Sequence, residues 1–197
     1  KKKFINLDME EYRDLGLTIL VFKKLLAKPE LQNLEAGIVL QAYLPDAFEA
    51  LKELTQFATE RIANGGASIK VRIVKGANLA MEHVDAKWHG WELATYNTKA
   101  DSDANYKRLI DYALDAERIK AVRVGIAGHN LFDLAFAHRL SVHRNVAERV
   151  EYEMLQGMAQ HLSKQVKDSV GSLLLYTPVV APSEFQVAVA YLTRRLE

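Results

Sequence analysis

The chain contains no cysteine. That excludes a disulfide scaffold, a thiolate metal site and cysteine catalysis, and it fits a cytosolic setting. It also lacks any apolar run long enough to cross a bilayer. Its start, Lys1-Lys2-Lys3-Phe4-Ile5, is basic, but no long apolar segment follows, so it does not read as a signal peptide. Charge of one sign is missing as well. Net charge is +1, which gives no argument for nucleic acid or an anionic membrane as the main partner. The chain holds only four prolines and ten glycines, with no Pro/Gly-rich linker and no low-complexity tract. A Gly-rich dinucleotide loop after a strand is absent too.

What is present is one strand with unusual flanks, Ile69-Lys70-Val71-Arg72-Ile73-Val74-Lys75-Gly76-Ala77-Asn78. Its β-branched residues predict a buried parallel strand. Arg72 and Lys75 put two cations at its C-terminal end, and Gly76-Ala77 lets a ligand approach the backbone. In parallel α/β folds ligands bind at the carboxyl ends of the strands, so this end suits an anionic, planar or phosphorylated ligand.

Along the chain, strands alternate with amphipathic helices. Strands are expected at 4–8, 37–41, within 69–78, 122–127 and 150–155, with an extended stretch at 173–176. Helices are expected after 15, after Pro45-Asp46, over 81–88, after an N-cap at Asp103, over 131–140, over 162–170, and from a cap at Ser183 to Glu197. The stretch from Trp91 to Lys99 reads as a loop, with Trp88 and Trp91 as its packing residues. This β-α alternation implies a parallel sheet with right-handed crossovers. An open doubly wound sheet fits the pattern, and so does the last part, about five β/α units, of a (β/α)8 barrel. Polar residues close every core-type strand, namely Asp8, Gln41, Arg72 with Lys75, His129 with Asn130, and Gln156. A barrel would gather them into one mouth. His138 and His143 have no third ligand nearby, so no metal site is expected.

Several motifs recur in a specific order: Asp8 in Asn-Leu-Asp-Met-Glu-Glu, Gln41-Ala-Tyr, Arg72-Ile-Val-Lys75-Gly-Ala, Gly-His129-Asn130, Glu-Met-Leu155-Gln-Gly-Met, Tyr176-Thr-Pro-Val and Tyr191-Leu-Thr-Arg194-Arg195. Over essentially the whole of residues 1–197 this set resembles the proline dehydrogenase domain, most like that of the bifunctional proline utilization A proteins. The resemblance implies an α/β fold, a TIM-type (β/α)8 barrel whose first strands lie outside this chain. It implies oxidation of L-proline to 1-pyrroline-5-carboxylate by hydride transfer to N5 of FAD, with electrons passed to a quinone. A downstream pyrroline-5-carboxylate dehydrogenase domain belongs to the same expectation, as does a cytoplasmic or peripheral inner-membrane location.

Carried over position by position, the resemblance implies that Arg72 and Asp8 serve catalysis. Asp8, Leu155, Tyr176, Tyr191, Arg194 and Arg195 would surround proline, the two arginines on its carboxylate. Gln41, Arg72, Val74, Lys75, Gly76, Ala77, Thr98, Lys99, His129 and Asn130 would hold FAD. Two positions depart from the pattern: Asn78 stands where many relatives carry Tyr, and Gly128 where a hydroxyl residue often precedes His-Asn. Without these motifs, two other readings stand. One is a barrel enzyme using Arg72 and Lys75 for a phosphorylated substrate; the other is a non-catalytic fragment that pairs through an open edge.

Overall fold

The computed structural model describes residues 3–193. Six strands, β1 (Ile5–Leu7), β2 (Ala36–Gln41), β3 (Ile69–Val74), β4 (Val122–Ala127), β5 (Val150–Leu155) and β6 (Leu174–Tyr176), form one sheet in sequential order. Every neighbouring pair is parallel. Among the described residues, six α-helices fill the connections, α1 (Leu15–Leu26), α2 (Ala47–Ala63), α3 (Leu79–His89), α4 (Lys99–Ala113), α5 (Leu131–His143) and α6 (Gln160–Val170), and α7 (Phe185–Thr193) follows β6. The extended stretch expected near residue 174 is thus a sixth paired strand.

The sheet is curled. Arg72 on β3 lies with its guanidinium carbon 4.4 Å from the ring centre of Tyr176 on β6. Three strand spacings in a flat sheet would part them by roughly 14 Å. Curling brings side chains from distant strands together on the concave face, as in a barrel.

Period-two alternation decides what each face carries. On the convex face, Ile38, Leu40, Val71, Ile73, Val124 and Ile126 are fully buried against Leu51, Leu54, Leu109 and Ile110 of α2 and α4. β2 is buried along its whole length, which is why it reads as a continuous apolar run. The concave face carries Asp8, Gln41, Lys70, Arg72, Gly125, Glu153 and Tyr176. Burying about six large aliphatic side chains at about 1.5–3 kcal/mol each fixes the register that presents these polar residues inward.

Local chemistry sets the helix ends. Thr98, not Asp103, caps α4: its hydroxyl accepts from Asp101 N at 3.1 Å and donates to Asp101 Oδ2 at 2.6 Å. The Thr98 hydroxyl thus satisfies one first-turn donor, Asp101 N, while the Asp101 carboxylate holds that hydroxyl in place, and the helix begins five residues earlier than the Asp103 expectation. Asn130 caps α5 by accepting from Phe132 N and Asp133 N. Ser183 lies inside a 3-10 turn, Pro182–Glu184, ahead of α7. Trp88 and Trp91 do not pack into the core. They are 81% and 58% exposed and flank His89, which stacks on Trp91 with ring centres 4.2 Å apart.

Candidate active site

A cavity of about 280 Å³ opens at the carboxyl ends of the strands. Its lining draws on every strand: Asp8 after β1, Gln41 on β2, Arg72 and Val74 on β3, Ala127 on β4, Glu153 and Leu155 on β5, and Tyr176 on β6. Lys75, Gly76, Ala77, His129, Asn130 and Tyr191 also line it. The structure therefore gathers most of the residues singled out above into one place. Thr98 and Lys99 do not line it. Thr98 is spent on its helix cap, and Lys99 pairs with Asp103 at 2.5 Å. Arg194 and Arg195 lie outside the described residues.

Arg72 is gripped on three sides. One terminal nitrogen donates to both oxygens of Asp8 at 2.9 and 3.1 Å. Its Nε lies 3.4 Å from Glu153 Oε2, an ionic contact outside hydrogen-bond geometry. Its face stacks on the Tyr176 ring. Burial opposes the guanidinium charge, but Asp8 and Glu153 outweigh it, and the net shift is upward. Arg72 stays cationic in a largely closed site. Tyr176 is pushed up to about 12 by burial and then by the Glu153 carboxylate, so its phenol remains a neutral donor.

Lys75 is held differently. Its ammonium sits 2.5 Å from Asp103 Oδ1 and 2.7 Å from Asp133 Oδ2. Burial disfavours its charge, the two carboxylates more than compensate, and its pKa is raised. Gly76 follows with φ +125°, and a Cβ there would strike the Tyr43 ring at 2.5 Å. Glycine is thus required both for the conformation and for the aromatic floor beneath it.

Among the described residues, two buried polar atoms at the cavity wall have neither a hydrogen bond nor an ionic contact. Gln41 Nε2 donates to the carbonyls of Met9 and Glu10, leaving Gln41 Oε1 as an unpaired acceptor. Leu155 N donates to His129 Nε2 at 3.0 Å, so the ring proton sits on Nδ1, and Nδ1 is buried without an acceptor. Burial lowers the His129 pKa and keeps the ring neutral. An unpaired donor and an unpaired acceptor at the wall of one cavity are costly alone and mark where a ligand edge would bind.

A family profile for proline dehydrogenase matches residues 1–197. The chain belongs to the proline dehydrogenase family. Among solved structures, it is 58% identical to proline utilization A (PutA) from Corynebacterium freiburgense, with TM-score 0.94 over 98% of this chain and 20% of that one. PutA from Bdellovibrio bacteriovorus, in a structure inactivated by N-propargylglycine, is 41% identical with TM-score 0.89, again over 98% of this chain and 19% of that one. The bifunctional protein PutA of Klebsiella aerogenes is 29% identical over 98% of this chain and 15% of its own length. The chain thus spans about a seventh of that curated relative, and the six-stranded half-barrel is the part of the proline dehydrogenase fold it supplies.

Within this proline dehydrogenase half-barrel, sequence reasoning missed one group of consequence. Glu153 has a fully buried side chain, and Lys70 is 3% exposed, yet both are ionisable residues. They meet at 2.5 Å on the concave face. Burial raises the Glu153 pKa, and the Lys70 and Arg72 cations work against that rise by favouring its carboxylate. The available signal was the spacing: Lys70 with Arg72, and Glu151 with Glu153, place charges two apart on one strand face. Asp103, Asp133 and Tyr106 were missed for another reason. They come from helices, and only packing carries them to the rim.

Proposed function

We infer that the protein containing this chain oxidises L-proline to 1-pyrroline-5-carboxylate, with FAD held in the cavity described above. The observation that carries the reading is the donor and acceptor set around Arg72. A fixed cation, the Nδ1–H donor of His129 and the Oε1 acceptor of Gln41 face one space, and they match a flat heterocycle edged with both donors and acceptors. Arg72, Gln41, His129, Asn130, Val74, Lys75, Gly76 and Ala77 would hold the cofactor. When bound, it supplies the two-electron acceptor for the reaction.

This chain's own residues bind, orient and exclude water. Asp8, Leu155, Tyr176 and Tyr191 would enclose the pyrrolidine ring, and Arg194 and Arg195 would pair with its carboxylate, since paired guanidinium groups suit a planar anion. Oxidation removes one C–H and one N–H hydrogen from the ring as two electrons and two protons, leaving a C=N bond. Electrons leaving for a quinone, a downstream pyrroline-5-carboxylate dehydrogenase domain and a location at the cytoplasmic face of the membrane complete the proposal. Among the described residues no helix is long and apolar enough to cross a membrane.

The pairing of Lys75 with Asp103 and Asp133 weighs against a phosphorylated substrate, because that cation is already neutralised. The test is anaerobic addition of L-proline to the purified full-length parent. Loss of the oxidised-flavin absorbance is expected. A parent that carries no flavin, or whose flavin stays oxidised, would overturn the reading.

A further inference from the structure

We propose that Glu153 is a positioning residue that, together with Lys70, fixes the guanidinium of Arg72 and sets the net charge beneath the cofactor cavity. The inference rests on the assignment of Arg72 to the flavin.

Five charged side chains meet on the concave face. Lys70 and Arg72 come from β3, Glu151 and Glu153 from β5, and Asp8 from the exit of β1. They differ sharply in burial. Asp8 is 53% exposed and Glu151 32%, whereas Glu153 is wholly enclosed. Solvent screens the outer carboxylates, so Glu153 is the anion whose field reaches the cavity least diminished. It lies between the two cations, 2.5 Å from Lys70 Nζ and 3.4 Å from Arg72 Nε.

The neighbouring strand is cut away to admit it. A Cβ on Gly125 would sit 2.3 Å from Glu153 Oε1 and 2.8 Å from Lys70 Cε. Gly125 is therefore the space in which the pair meets. A buried ion pair is a poor source of stability compared with apolar packing of similar volume. Here it has a directional consequence. With Asp8 on one edge, Glu153 on another and Tyr176 under the face, Arg72 keeps one terminal nitrogen with no hydrogen bond among the described residues. That nitrogen is aimed by the other three contacts. Glu153 stands in the cavity wall with a wholly enclosed side chain whose carboxylate lies against Lys70 and Arg72, so it acts through Arg72 and Tyr176.

Removing the carboxylate charge leaves Lys70 and Arg72 with only the screened acids, an excess positive charge that favours added electrons. Removing the Lys70 charge does the reverse. The experiment is a redox titration of bound flavin in the full-length parent, comparing Glu153→Gln, Lys70→Met and the double variant. Glu153→Gln should shift the reduction equilibrium roughly tenfold towards reduced flavin, Lys70→Met a similar amount the other way, and the double variant should return near the original value. A role confined to folding would lower flavin occupancy in both single variants without opposite shifts. Unmoved potentials, shifts of one sign, or loss of flavin that the double variant does not recover would each overturn the proposal. If the unmodified parent reduces its flavin with proline and these variants fail the test, this inference alone falls. If the unmodified parent does not, the functional reading falls and takes this with it.

Discussion

Gly125→Ala should be disproportionately damaging for the addition of one methyl group. The added Cβ would lie 2.3 Å from Glu153 Oε1, where ordinary contact begins at 3.4 Å, so the carboxylate must retreat by about 1 Å. It has nowhere to go, since Glu153 is enclosed and its retreat stretches the contacts with Lys70 and Arg72. Overpacking a tight site costs about 1–3 kcal/mol. Parting a buried ion pair adds to this, because full loss of one partner costs about 3–5 kcal/mol. A total of about 2–4 kcal/mol is expected. The assay is the temperature at which the full-length parent releases its flavin, which should fall on the order of 5–10 °C for a unit of this size. Gly16→Ala is the control. It adds the same methyl to α1 where nothing lies within 4 Å, and should leave the midpoint unchanged or raise it slightly. A drop below about 2 °C for Gly125→Ala would refute the claim that this glycine is the space for the ion pair.

Arg72→Met should lower the flavin potential and slow reduction by proline, with milder loss of FAD; redox titration and stopped-flow reduction check this, and unchanged values would remove Arg72 from the reaction. Arg194→Met or Arg195→Met should raise KM for proline roughly ten- to a hundredfold with little change in the flavin spectrum, each charge-assisted bond being worth about 1.5–3 kcal/mol. Normal KM with loss of flavin would assign the arginine pair to the cofactor instead. The Asp103 contact should appear in acid. Burial would raise the Asp103 pKa, but hydrogen bonds from Lys75 and Lys99 outweigh it and hold the group below its usual value. Its stabilising contribution is therefore present above the unfolded carboxylate pKa, about 3.9, and fades as pH falls through the lower folded value. Asp103→Asn should lose stability at neutral pH and show a flatter acid limb in a pH series of flavin-release midpoints. An unchanged acid limb would mean that the contact contributes nothing.

The sequence by itself determined the strand and helix order, because apolar residues at spacings of two and of three to four need only their neighbours to be read. It also supplied Asp8, Gln41, Arg72 and His129 as polar residues closing the strands, where a parallel sheet places ligand contacts, and Leu155 and Tyr176 through the family motifs; all six line the cavity. The α4 start was legible in principle: the Thr98 hydroxyl caps Asp101 N and is held by the Asp101 carboxylate, and the nearer acid Asp103 was the wrong choice. What only the tertiary structure decided is which charges face one another. Lys70 and Glu153 are 83 positions apart, and each alone is an ordinary charged residue. They become partners because the sheet registers Lys70 beside Arg123, and Gly125 beside Glu151, and then curls. Lys75 likewise looked like a free cation until α4 and α5 packed Asp103 and Asp133 against it. Local periodicity sets which way a side chain points. What it meets there depends on register and curvature, and those are properties of the closed sheet rather than of any one strand.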